Sequence, residues 1–391
     1  MPNQTNIVGT ATAAAAVSAS AGVAAQALPP LGPKSTGVPG PGDVSAGNID
    51  FTKTGVKGPE TFDTFGCKVF RENSKTPDFV TANVYFERQA FLDGDLVMPD
   101  GRQLRHWGFE DPLRAPGQKS LPSPLIRVQE GDLVHTKFSA RTSSHTIHHH
   151  GIEPTTMNDG VGHTSFEVTG SYIYQWQPTE PGTYFYHCHK NTVLHFKMGM
   201  YGLLIVDPKP NANGKVPAFA GGPEYDVEKF WVLDDIDPRY QELNHDAGLC
   251  GEDVGLNIFK PRYFLITGTP TRPTVPTDAQ RIFANPGQKI LIRLLNASYS
   301  VIKVTIEGLA ATIIGVDGNA LNEPWNAPLT IPPGQPFFLT TAQRRMLLIN
   351  TASGPRGTHR VTFEFQDWIT RRRHNAGQGL YEGFAFTTIS I

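Results

Sequence analysis

Two short segments constrain this chain more than anything else in it. One is His145 to Gly151, His-Thr-Ile-His-His-His-Gly; the other is Tyr186 to Met200, Tyr-His-Cys-His-Lys-Asn-Thr-Val-Leu-His-Phe-Lys-Met-Gly-Met. Together they hold seven of the thirteen histidines and one of the three cysteines. Successive side chains of a β-strand point to opposite faces, so a strand reading sorts these residues by parity. His187 and His189 share one face and Cys188 takes the other. His148 and His150 share a face, and His145, an odd three positions before His148, takes the other. Cys188 and His145 thus form one group, which His195 and Met200 join from the loop that follows. His148, His150, His187 and His189 form a second group on the far side.

The two groups differ in chemistry. Two imidazoles, a thiolate and a weak axial thioether are the donor set of a blue, type 1 copper centre. Four imidazoles suit Cu(II) in a type 2 or type 3 site. The peptide links on either side of Cys188 join the groups covalently, so an electron arriving at copper on one face has a route of two peptide units to copper on the other.

The pair of segments resembles the copper motifs of the multicopper oxidases, the family of the laccases. His145-x-x-His148-x-His150-Gly151 matches the family's His-Pro-x-His-x-His-Gly pattern, and His187-Cys188-His189, His195 and Gly199-Met200 match its His-Cys-His-x-x-x-His-x-x-x-Gly-Met pattern. The chain departs from the family in having five residues between His189 and His195, where three are usual. The copper nitrite reductases are a more distant likeness. They share the spacing of His145 and His150, but their catalytic Asp falls where this chain has His148, and they lack a His after the motif Cys. Both differences favour the oxidase resemblance.

The remaining sequence fits an all-β protein. With 39 glycines, 32 prolines and 18% charged residues the chain is turn-rich, and its net charge of −2 with no long basic run excludes nucleic acid as a partner. Its 391 residues suffice for two or three domains. Residues 1–47 are low-complexity. Ile7 to Ala27 is mildly apolar and ends in Ala25-Gln26-Ala27, a cleavage pattern that reads as the second half of an export signal without its basic region, or as a flexible extension. A periplasmic or secreted location is the expectation. No stretch is long and apolar enough for a membrane span.

Strands are expected at Phe79 to Glu87, Gly101 to Phe109, Ser123 to Val134, Tyr172 to Pro178, the His187 segment and Gly202 to Pro208, giving a Greek-key cupredoxin sandwich over 48–208. A Pro- and Gly-rich linker over 209–223 leads to further strands at Lys229 to Leu233, Gln288 to Asn296, Val301 to Leu309, Ala311 to Val316 and Gln335 to Leu339. Residues 224–391 therefore read as a second cupredoxin-like domain, without recognisable copper ligands. The fold expected is two cupredoxin-like Greek-key β-sandwiches.

The family's trinuclear oxygen-reducing site takes eight histidines as four His-x-His pairs, and this chain has two pairs. His245, His359 and His374, the histidines of the second half, are widely separated. Three arrangements stay open: two copies of the first domain face each other, a mono- or dinuclear site forms on His148, His150, His187 and His189, or the second site is a relic and the protein carries electrons. The resemblance implies a homotrimer or a multiple of it, since the second site lies between subunits in two-domain members. It further implies a small-molecule or protein electron donor and dioxygen or nitrite as acceptor. Asp159 is the candidate for proton delivery, or else caps a turn with Gly160. His149 and Met198 read as structural, with a proton relay as the minor option for His149; His106, His135, His359 and His374 read as structural or surface; His163 lies near the site; and His245, in a Gly- and Asp-rich loop, is somewhat more open than these to a role across subunits. Export would permit a disulfide between Cys67 and Cys250 but does not require it, and both the bridged and the free state stay open.

Overall fold

Strands make up nearly all the regular structure of the computed structural model, which describes residues 70–73, 82–141, 143–249 and 251–391. The leader of 1–47, Cys67 and Cys250 lie outside the described residues. The first sandwich pairs a five-stranded sheet, in the order Phe70–Asn73, Glu167–Trp176, Val134–Ser139, Val84–Val97, Gln103–Glu110, with a four-stranded one, Ser123–Gln129, Tyr201–Asp207, Gly182–His187, His148–His150. Parallel neighbours from distant parts of the chain, such as Val84–Gln89 beside Val134–Ser139 and Ser123–Gln129 beside Gly202–Asp207, need connections that cross between the sheets, as a Greek key provides. The second sandwich runs from Val227 to Ser390, with a five-stranded sheet against a larger one centred on Val227–Ile236, Lys289–Asn296 and Arg344–Asn350. The protein is all-β, with two cupredoxin-like sandwiches.

Alternation explains most of these strands. In Thr358–Gln366, Val361, Phe363 and Phe365 point into the second core and are fully buried, while Arg360 before them is exposed and Thr362 and Glu364 between them are half-buried. That strand, Arg344–Asn350 and Phe384–Ser390 were not among those expected from the sequence, although the first carries a clear period of two. A second difference matters more. His195 comes not from a loop but from a short helix, α2 (Thr192–Lys197), entered through Asn191 in the left-handed region at φ 42°. The two additional residues after His189 give the chain room for this turn of helix.

A third apolar cluster joins the sandwiches, with Phe185, Phe196, Tyr201, Leu203 and Ile205 from the first and Val232, Leu295 and Ala297 from the second. Its polar margin is Lys197 of α2, whose Nζ meets Asp234 and, at 2.7 Å, Asp235. No helix among the described residues is long and apolar enough to cross a membrane.

His106 is structural, as expected, and makes the fold acid-sensitive. It is 1% exposed and lies over Gly94, at a bulge where an added Cβ would come 2.2 Å from its Cε1. Burial pushes its pKa from 6.5 down to about 4. The folded state thus holds the ring neutral while the unfolded chain binds a proton below about 6.5, so stability falls as pH drops from there toward 4. The loss attributable to this one ring is about 3 kcal/mol. His106→Leu is expected to flatten the acid limb by that order, read from urea midpoints at neutral pH and near pH 4.5. Equal losses in both proteins would sink this account.

Candidate metal centre

The His148–His150 strand pairs antiparallel with Gly182–His187, so that His148 lies opposite His187. This register brings the two motif segments together. Beyond the strand, His189 N–H donates to Thr146 Oγ1 at 2.8 Å and Cys188 N–H donates to Met200 O at 3.0 Å. His145 is held extended by backbone hydrogen bonds in both directions with Val168. The result is two clusters on either side of the Tyr186–His189 backbone, as strand parity predicts.

In the first cluster Cys188 Sγ lies 3.4 Å from His195 Nδ1 and 3.7 Å from His145 Nδ1, and all three residues are 0% exposed. Their donor atoms fall within 4.8 Å of one another, close enough for a single ion. The outer nitrogens are occupied: His195 Nε2 donates to His245 O at 2.9 Å, and His145 Nε2 sits 3.0 Å from Ser143 Oγ. Such partners fix which nitrogen faces a metal. Met200 is fully buried in the same apolar cluster as Cys188, and so is Met198. The donor set of one thiol and two inward Nδ1 atoms, in an apolar enclosure, fits copper.

Burial governs protonation here. It pushes the His195 pKa down to about 3 and holds His145 well below the usual range, leaving both imidazoles neutral and able to ligate. The same burial pushes the Cys188 thiol up to about 11. A metal that takes Cys188 as a thiolate ligand must displace that proton.

In the second cluster His148, His150 and His187 converge, with donor atoms again within 4.8 Å. His150 Nδ1 and His187 Nε2 are 3.2 Å apart. His187 Nδ1 donates to Cys188 O at 2.9 Å, and His148 Nδ1 to Asp159 O at 2.7 Å. The fourth expected ligand, His189, lies alongside with its ring 5.3 Å from His148, but its Nδ1 is 3.3 Å from Thr192 Oγ1 and it does not converge with the other three. Burial lowers the pKa of His187 and His189 and brings His150 down to about 3. Phe185 stacks on His150 at 4.3 Å. His148, His150 and His189 are half-buried, so this cluster opens to the surface while the first is enclosed.

Asp159 ends α1 (Thr156–Asp159), with its carboxylate 3.1 Å from His148 Nδ1 and its side chain 25% exposed. Gly160, at φ 70°, lets this turn pack on the ligand strand, for a Cβ there would lie 1.8 Å from Ile147 O. His163 is exposed, and His149 is buried with its ring 4.6 Å from Trp176 and makes no part of either group. His135, bonded to Gln175 at 2.9 Å, and His359, bonded to Pro355 O at 2.8 Å, are structural. Among the described residues no histidine of the second half enters either group.

The sequence leaves His245 open to a role across subunits and does not place it beside the first cluster. It packs within this chain against the first cluster, its Nε2 3.3 Å from His145 Nε2. No local pattern marks it, because the loop carrying it is aligned only by the tertiary fold. Lys190 was also missed: it is 4% exposed and reaches Ser144 Oγ at 2.7 Å and Asp246 at 2.8 Å.

Residues 117–211, which include both clusters, match the multicopper oxidase family. A copper-containing nitrite reductase of Neisseria meningitidis is 34% identical over 249 residues, 59% of this chain and 59% of the relative. The multicopper oxidase MmcO of Mycobacterium tuberculosis is 28% identical over 234 residues, 51% of this chain and 42% of the relative. The chain thus spans well under two thirds of either relative. Among solved structures, the blue copper oxidase of Nitrosomonas europaea aligns with a TM-score of 0.59 at 24% identity, covering 78% of this chain and 85% of that one, a likeness of fold. Residues 117–211 match the multicopper oxidase family, and the chain resembles that family in both its motifs and its fold.

Proposed function

We propose that the chain is a copper oxidoreductase of the multicopper oxidase type. Electrons enter one at a time at a type 1 site formed by His145, Cys188, His195 and Met200. They pass through Cys188 to a second site on His148, His150 and His187, with His189 alongside as the fourth imidazole of the set, where dioxygen is reduced. The observation that carries this reading is the pair of convergent groups, one thiol-bearing and enclosed, the other all imidazole and open, joined through the His187–Cys188 peptide. Copper, when bound, supplies the one-electron redox chemistry. The residues supply the rest. Enclosure keeps water from the thiolate, and Asp159 orients His148 while its exposed side offers a proton route for an acceptor that consumes protons. The working units are a copper-binding sandwich over 48–208, a linker over 209–223 and a second sandwich over 224–391.

The open cluster has three convergent imidazoles, fewer than half of the eight that a trinuclear oxygen-reducing site takes, which supports a site completed by another copy. A homotrimer, in a periplasmic or secreted setting, is the assembly proposed. Nitrite as acceptor is the second reading, supported by the spacing of His145 and His150 and by the nitrite reductase likeness. An electron carrier with a relic second site is the third.

Copper per chain, EPR and light scattering on one fully loaded sample test the proposal. Two or more coppers in a trimer, with a type 2 signal or an EPR-silent pair, are expected. One copper with a type 1 signal alone would make the protein a carrier, and a monomer would exclude a site shared between copies.

A further inference from the structure

The imidazoles of the thiol-bearing cluster have no edge in solvent. His145 and His195 are 0% exposed, and Trp107, itself 2% exposed, sets its ring against His195 at 5.2 Å. The remaining side is closed by His245, whose ring lies 4.7 Å from that of His145 and 4.5 Å from that of His195. It touches both, by its Nε2 at 3.3 Å from His145 Nε2 and by its carbonyl at 2.9 Å from His195 Nε2. Of these three imidazoles only His245 reaches solvent, with 16% of its side chain exposed.

The loop is clamped in place. Asp246 accepts from His245 Nδ1 at 2.9 Å and from Lys190 Nζ at 2.8 Å, and Asn191 Nδ2 donates to Ala247 O at 2.8 Å. These bonds turn the Nε2 edge of His245 inward. A neutral imidazole that ligates through Nδ1 carries its proton on Nε2, so His145 has a proton to share with His245 Nε2 across that contact.

We propose that His245 is the electron port of the type 1 site, with Asp246 as its positioning residue. This rests on the type 1 reading of His145, Cys188 and His195. A one-electron outer-sphere donor, a redox protein or a compact metal complex, touches the exposed edge of His245 and is oxidised by one electron. That electron crosses to His145 and His195 and reduces Cu(II) to Cu(I), with no atom transferred. Electron exchange weakens steeply with distance and is favoured by hydrogen-bonded contact, so the donor's closest bonded approach is through this residue. A donor that must touch a ligand imidazole directly finds none exposed.

The test follows the bleaching of the blue band when copper-loaded protein is mixed, without oxygen, with hexaammineruthenium(II). Wild type, His245→Phe and Asp246→Ala are compared, with the EPR spectrum and the equilibrium reduction potential of each. His245→Phe retains a ring over the ligands and loses the Nε2 contact. It is expected to keep the blue band, EPR spectrum and potential while bleaching several-fold more slowly. Asp246 has 66% of its side chain exposed, so its removal spares the fold, and a smaller slowing is expected. A structural role alone would move the spectrum or the potential, not the rate at constant potential. Bleaching of His245→Phe at the wild-type rate, with its band intact, overturns the proposal. If that variant loses its band, the Asp246→Ala rate decides, and an unchanged rate overturns it. Wild-type protein that binds copper without a blue band overturns the type 1 reading itself, and the port with it.

Discussion

Cys188→Ser is expected to abolish the intense blue absorption of the copper-loaded protein and its type 1 EPR signal. Cys188 is the one described thiol, and it faces two imidazole Nδ1 atoms at 3.4 and 3.7 Å. The strong copper–thiolate bond is the source of the colour, and a hydroxyl does not replace it. The serine variant keeps a small polar group in the same enclosure, so His145 and His195 stay where their outer partners hold them. The second cluster shares the backbone of Cys188 but not its side chain, so copper per chain should fall by one and not to zero. Absorption and metal analysis of the same samples check both statements. A surviving blue band would overturn the ligand assignment.

The largest effect on stability is expected from Lys197→Met. Lys197, Asp234 and Asp235 are almost wholly enclosed, with side chains 1%, 3% and 0% exposed. Burial raises the Asp234 carboxyl, and even with Lys197 pulling against it the pKa stands at about 6. Tyr201 Oη donates to Asp234 at 2.7 Å, and Tyr299 N–H donates to Asp235 at 3.1 Å. These neutral donors cannot balance two carboxylates. Taking away the cation leaves charge buried without a partner, which costs about 3–5 kcal/mol. The midpoint of urea unfolding should drop accordingly, and a change below about 1 kcal/mol would show that the cluster relaxes or takes up protons. Changing Asp234 and Asp235 to Asn in the same variant should restore much of the loss, since the buried charge goes with them.

Much of the site was legible because strand parity is rigid. His148, His150 and His187 converge in one group and His145 and Cys188 in the other, as alternation requires, with His195 joining the second from beyond the strand. Parity cannot follow the chain once a strand ends. After His187 the backbone leaves the sheet, and His189 turns toward Thr192 instead of joining its expected partners. The helix under His195 was equally invisible, since six residues of mixed polarity carry too little periodicity. His245 and Lys190 were not legible, because their roles depend on contacts across the fold: His245 lies 100 positions from His145. The two sandwiches were legible in outline from turn density and alternation. The Arg344–Asn350 strand was not, since two arginines at its start hide a run of buried Met346, Leu347 and Ile349.

The two clusters are separated by main chain, not by packing. His187, Cys188 and His189 are consecutive, and the fixed lengths and planarity of their peptide units set the spacing. Sandwich cores breathe and ligand side chains shift with temperature, but this separation barely responds to either. Heating or core mutation should therefore spoil the shape of each cluster long before it alters the gap between them. A lineage that lost the ligands of one cluster would keep the other at an unchanged address, a ready scaffold for either a carrier or an enzyme.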